Sequence, residues 1–126
     1  MKKQFIATEN APKAIGPYAQ GIMFESLVFT SGQLPLDPAT GKLVEGDVKT
    51  ATAQVIKNVE AILHEAGSSL DNVLKATVYL KDMGDFAAMN EVYAQFFGEG
   101  LPARTTFQAG KLPMDAVVEI EAIAFR

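Results

Sequence analysis

The chain has 126 residues, a formal charge of −4, no cysteine and one histidine. The missing cysteine excludes disulfides, thiolate metal sites and cysteine nucleophiles together, and a single histidine leaves little from which to build a zinc site. Lysines and arginines are scattered, so the basic stripe of a dedicated nucleic-acid binder is absent, and no apolar run approaches the ~20 residues that span a bilayer. The opening MKKQFIATENAP has no apolar core of signal-peptide length. The expectation is a soluble, cytoplasmic protein with one domain over residues 1–126.

Residues 4–8 read as a short strand and residues 22–31 as a hairpin turning at Glu25-Ser26, with LVFTS rich in strand formers. The stretch 32–46, GQLPLDPATGKLVEG, has two prolines and three glycines and reads as a loop. A helix should follow, N-capped by Asp47 and closed by Gly67. Val48, Thr52, Val55, Val59, Ile62 and Ala66 recur on one face of it. Residues 73–80 alternate as a strand, with Leu74, Ala76, Val78 and Leu80 on one side and Lys75, Thr77 and Tyr79 on the other. A second helix over 85–97 carries the apolar stripe Phe86, Met89, Tyr93, Phe96 and Phe97 and stops at Gly98. Residues 104–109 and 117–125 are the last two strands, and the connector GKLPMDA suggests that they form a hairpin with a long loop. The order β-β-β-α-β-α-β-β predicts an α+β fold: one mixed sheet with both helices on one face, as right-handed crossovers require.

On the last strand Val118, Ile120, Ala122 and Ala124 suit the helix-covered face. Val117, Glu119, Glu121, Ile123 and Phe125 point to a face that two helices cannot cover. An apolar face left open in this way is a surface for self-association. On the neighbouring strand Arg104, Thr106 and Gln108 share a face, and an antiparallel hairpin of suitable register would set them beside Glu119 and Glu121. Two readings stand for such an arginine and glutamate: a structural ion pair at a subunit contact, or a carboxylate-binding arginine beside a carboxylate that positions water.

Other residues carry weaker signals. His64 falls on the solvent side near the end of the first helix, where it suits the helix dipole. Tyr18, after Gly16-Pro17, is a packing residue or a pocket residue. Asn90 lies inside the second helix, explained by exposure or by a hydrogen bond into a pocket. No G-x-S-x-G element and no glycine-rich phosphate loop is present.

Four blocks resemble one family along nearly the whole chain: ATENAPKAIGPYAQG, FTSGQLPLDPATGKLV, VYLKDMGDFAAMNEVYAQFF and, most specifically, PARTTFQAGKLPMDAVVEIEAIA. The family is RidA/YjgF, also labelled endoribonuclease L-PSP. The resemblance implies a chorismate-mutase-like fold, a homotrimer with clefts between subunits, and cofactor-free, metal-free hydrolysis of 2-imino and enamino acids to 2-oxo acids and ammonia. It assigns Arg104 to the substrate carboxylate and Glu119 to the attacking water. Tyr18, Ser31, Gly32 and Asn90 match pocket-lining positions, and Phe86 matches an apolar wall. Where many relatives have cysteine this chain has Thr106, whose backbone can still meet the substrate nitrogen but which offers no thiol to oxidise. Against this activity stand an endoribonuclease, disfavoured by the acidic charge, and a non-catalytic ligand-binding or holdase module.

Overall fold

The computed structural model describes residues 2–126. In chain order the elements are β1 (Gln4–Ile6), β2 (Gly21–Phe24), β3 (Leu27–Thr30), α1 (Val48–Glu65), β4 (Val73–Leu80), α2 (Phe86–Phe97), β5 (Ala103–Gln108) and β6 (Val118–Phe125). Short 3-10 turns precede β4, α2 and β6. The local signals set these limits. The Asp47 side chain accepts a hydrogen bond from the Thr50 amide, capping α1. Gly67 and Gly98 take positive φ angles of 79° and 54° just beyond the two helices. Glu25 turns the β2–β3 hairpin with φ 55°.

The strands form one six-stranded sheet in the order β1-β2-β3-β6-β4-β5. The β4–β5 pair is parallel, and every other neighbouring pair is antiparallel. Both helices pack on one face and share a single core with Val78, Leu80, Val118, Ile120, Ala122 and Ala124. The expected α+β architecture is therefore present.

The pairing of the last two strands differs from the expected hairpin. β5 and β6 are not neighbours, because β4 lies between them. The chain from β4 through α2 to β5 is a crossover unit, which delivers β5 parallel to β4 on the sheet edge. β6 then enters between β3 and β4, antiparallel to both, filling the slot that the α1 crossover left open. The interior position is favoured because β6 is apolar enough on its helix-side face to be buried there.

This topology overturns the predicted faces in two places. Arg104 pairs with Ala76, which lies in the core, so Arg104 and Thr106 stand on the helix side of the sheet. Glu119 pairs with Tyr79 and Glu121 with Thr77, on the opposite, open side. Leu74, expected on the side of Ala76, Val78 and Leu80, is 48% exposed. A register shift between Val73 and Lys75 bulges the strand there, and Val73 takes the inward position instead.

The open face carries Phe5, Phe24, Phe29, Phe107 and Phe125, five of the eight phenylalanines and all exposed, Phe5 to 71%. Under the helix side, Asn58 is fully buried on α1. Its amide nitrogen donates to the carbonyls of Leu34 and Leu36 at 3.0 and 2.9 Å, tying the 32–46 loop to the core. Asn58→Ala removes both bonds, leaving the Leu34 carbonyl only the Leu36 amide at 2.8 Å and taking the side-chain donor from the Leu36 carbonyl. A loss of about 2–4 kcal/mol is expected in chemical denaturation at fixed protein concentration. A loss below about 1 kcal/mol would show that the loop holds itself.

Candidate active site

The residues singled out from the sequence fall into two groups. The first lies at the end of β3 on the open side. Tyr18, Ser31, Gly32 and Glu119 line one cleft of about 360 Å³ with Lys13, Ile15 and Gln33. Ser31 extends the β3 line. Its amide donates to the Gln20 carbonyl at 2.9 Å and its hydroxyl to the Ala19 carbonyl at 2.5 Å, so that hydroxyl proton is committed to the scaffold. Gln20, not foreseen as a site residue, is the anchor of the entry segment. Its buried side chain accepts from the Thr8 amide at 2.7 Å and donates to the carbonyls of Thr8 and Pro12 at 3.0 and 2.8 Å. Above it the Tyr18 hydroxyl accepts from the Ile15 amide at 3.3 Å, folding the segment back over the cleft.

Glu119 is half-buried, and its pKa lies above the ordinary carboxylate value. Burial is the larger cause and the negative charge of Glu121 the second. Gly32 explains how the carboxylate can sit there: a Cβ on Gly32 would overlap the Glu119 carboxylate, reaching its Cδ at 2.9 Å. Only a residue without a side chain leaves that space.

The second group lies between α2 and β5 on the helix side. The Arg104 guanidinium sits 4.7 Å from the Tyr93 ring centre and 5.6 Å from the Phe86 ring. Each such cation–π contact contributes roughly 0.5–2 kcal/mol. Among the described residues no carboxylate pairs with Arg104. Three buried polar atoms in the same wall have no partner among the described residues: Asn90 Oδ1, Thr106 Oγ1 and the Tyr93 hydroxyl. Burial raises the Tyr93 pKa, and the Arg104 charge offsets part of that rise. Unpaired buried polar atoms are costly, roughly 1–3 kcal/mol each, so this wall is built to receive something polar. Tyr93 was read from the sequence as core, since it lies on the apolar stripe of α2. Its polar tip, seven residues after Phe86, was the available signal. Phe86 itself is exposed at the mouth of the wall.

The arginine and the glutamate are thus not side by side. One chain holds them on opposite faces of its sheet, and the arginine shares its face with Phe86 and Asn90. His64 is exposed on α1, 3.9 Å from Glu60 and away from both groups. Among the described residues no cluster of histidine, aspartate or glutamate is arranged to hold a metal ion. No helix is long and apolar enough to cross a membrane.

A sheet of this order with both helices on one face, a half-buried carboxylate in a cleft and a guanidinium held against two rings define an α+β domain with a candidate ligand site, and comparison with known proteins identifies it further. The family model for endoribonuclease L-PSP matches residues 8–126. A RutC family protein of Pyrococcus horikoshii is 56% identical over 124 residues, covering 98% of each chain. The 2-iminobutanoate/2-iminopropanoate deaminase of Salmonella typhimurium is 49% identical over 124 residues, covering 96% of each. Among solved structures, E. coli TdcF with bound serine superposes with a TM-score of 0.93 at 47% identity, covering 98% of each chain. The chain belongs to the RidA/YjgF family, the one that the L-PSP model describes. Its sheet and helices are those of the solved family members, in keeping with the chorismate-mutase-like fold expected.

Gly32→Ala should push the flexible end of Glu119 aside at little cost to the fold. A crystal structure of the variant is expected to show Glu119 in a new rotamer, with unfolding free energy within about 1 kcal/mol of the parent. Glu119 in its original place with the end of β3 displaced would refute this account of the glycine.

Proposed function

We propose that the protein is a 2-iminobutanoate/2-iminopropanoate deaminase, hydrolysing reactive 2-imino acids to 2-oxo acids and ammonia. The observation that carries this reading is the pair of complementary half-sites: a guanidinium clamped by rings with no counter-charge, and a carboxylate of raised pKa in a cleft. Relatives named as deaminases of these substrates at 47–49% identity support it. Arg104 binds the substrate carboxylate through two parallel hydrogen bonds, a geometry that a planar guanidinium supplies and an ammonium does not. Phe86 lies against the short alkyl group. Thr106, Asn90 and Tyr93 offer polar atoms near the bound acid.

The reaction needs little more than placement and proton handling. Water adds to the carbon of the protonated C=N bond, giving up a proton to Glu119. Glu119 returns that proton to the nitrogen of the tetrahedral carbinolamine, the C–N bond breaks to release ammonia, and the hydroxyl proton passes to Glu119 and on to solvent, leaving a 2-oxo acid. An enamine such as 2-aminoacrylate enters after tautomerising to 2-iminopropanoate. Positioned acid–base help of this kind contributes ~10²–10⁴ in rate, which suits a substrate that already hydrolyses unaided.

The two half-sites face away from each other in one chain, so the reading includes an assembly. The five exposed phenylalanines of the open face supply the apolar surface for it. A homotrimer, the number implied by the family resemblance, would bring the Arg104 half of one copy against the Glu119 half of the next. The protein would act in the cytoplasm, and its net charge of −4 disfavours RNA as its substrate.

In an assay coupled to a threonine dehydratase, with imine decay followed directly, Arg104→Ala should abolish activity and Arg104→Lys should recover little. Glu119→Gln should lose ~10²-fold or more in turnover while keeping ligand affinity. Activity of Arg104→Ala within twofold of the parent would remove Arg104 from the site. Cleavage of single-stranded RNA by the parent and not by Arg104→Ala would favour the ribonuclease instead.

The assembly makes its own prediction. When Arg104→Ala and Glu119→Gln chains are unfolded together and refolded, about a quarter of the clefts in random cyclic trimers should regain both walls. Arg104→Ala mixed with an inactive Phe86 or Asn90 variant should recover nothing, since those residues share one half-site. Recovery in the second mixture and not the first, or a monomer by light scattering, would refute the shared site.

A further inference from the structure

The open face of β6 carries a second glutamate that the reading above leaves unused. Glu121 stands two residues from Glu119, on the same side of the strand and about 6.6 Å along it. The cross-strand partner of Glu119 is Tyr79, yet the Tyr79 hydroxyl does not serve Glu119. It leans along the sheet and donates its proton to Glu121 Oε1. That bond, with burial, pushes the Tyr79 pKa up to about 12, so Tyr79 keeps the proton it donates throughout the neutral range. The Glu119 carboxylate makes no hydrogen bond to a described residue.

Among the described residues no ammonium or guanidinium forms an ion pair with Glu121. Lys75, two positions before Thr77 on β4, donates to the Thr105 hydroxyl at 2.7 Å. Lys81, at the end of β4, is paired with Asp115 of the following connector at 3.0 Å. From the entry segment, Lys13 and Tyr18 line the Glu119 cleft, and in the proposed trimer the arginine half-site of an adjoining copy meets it as well. These groups are the same whether or not Glu121 carries a charge, so changing Glu121 alone isolates its influence.

We infer that Glu121, tethered by the Tyr79 hydroxyl, is a positioning residue for the chemistry at Glu119: its fixed negative charge acts along the strand and makes the working carboxylate a stronger base. Tyr79 fulfils two conditions for this. It holds Glu121 on the open face, and by giving its proton to Glu121 it leaves Glu119 free to accept one from water. The inference rests on Glu119 being the proton-handling group of the proposed hydrolysis, but the coupling between the two carboxylates is measurable without turnover.

The test uses the assembled full-length protein with ¹³C-labelled glutamate side chains. The Glu119 carboxyl signal, assigned by its loss in Glu119→Gln, is titrated by NMR in the parent and in Glu121→Gln, which keeps the shape and an acceptor for Tyr79. Removing a neighbouring negative charge makes a carboxyl easier to ionise, so the Glu119 midpoint should fall by about half to one pH unit. In the deaminase assay the acid limb of kcat/KM should move down by the same interval. The plateau should fall about threefold to tenfold through kcat, with KM nearly unchanged, and Glu121→Asp should restore most of it. An unmoved Glu119 midpoint in Glu121→Gln overturns the inference even if Glu119→Gln is inactive. Full activity in Glu119→Gln overturns the functional reading instead, and the midpoint still decides the coupling. If Glu121→Gln does not assemble, Tyr79→Phe replaces it, keeping both charges while releasing the tether. A smaller downward step of the Glu119 midpoint is then expected, and no step overturns the inference.

Discussion

Strand β6 is held between β3 and β4, and the difference between its two faces organises the molecule. One face is Val118, Ile120, Ala122 and Ala124, buried against both helices. The other is Glu119, Glu121, Ile123 and Phe125, which no element of the chain covers. A one-residue slip against either neighbour would put carboxylates into the core and branched side chains into the cleft, so the register is strongly specified. That register places the carboxylate half of the candidate site: Glu119 opposite Tyr79, Gly32 against the Glu119 carboxylate, and Gln33 bridged to Ile120 beside it.

The two charged groups of the site are handled by opposite strategies. Arg104 has no carboxylate partner among the described residues, and its guanidinium rests against the faces of Tyr93 and Phe86. A carboxylate partner would hold it as firmly but would compete with an acidic ligand. Glu119 is instead destabilised as an anion, by burial and by a like charge. A cation left unpaired and an anion made basic are both costs to stability, and they are spent where small-molecule chemistry is proposed.

Much of this was legible in the sequence, because it depends on local pattern. The cap at Asp47, the glycine stops, the stripe of α1 and the alternation of β6 all follow from residues within a turn or a strand of each other. What was not legible is non-local. The alternation of β5 shows that Arg104, Thr106 and Gln108 share a face, but not which face. That depends on the neighbouring strand, which is β4 by parallel crossover and not β6 by a hairpin. The bulge that turns Leu74 outward leaves no mark on an otherwise regular alternation. Tyr93 was hidden by sitting on an apolar stripe, where a tyrosine reads as core. Strand alternation drew out Arg104 with Glu119 and Glu121, and the family resemblance assigned a role to Arg104 and to Glu119; their separation by the sheet came from the fold.

That separation has a consequence for how such a protein comes to life. A chain whose cation and base look in opposite directions cannot close them both on one small molecule. On the proposed reading it would be silent fresh from synthesis, and its catalytic competence would arise at the moment of meeting another copy. Dilution would then be an off-switch that needs no ligand. Two diverged relatives made in one cell could also exchange halves, yielding hybrid clefts with a wall from each, so that selection on either chain acts partly through its neighbours.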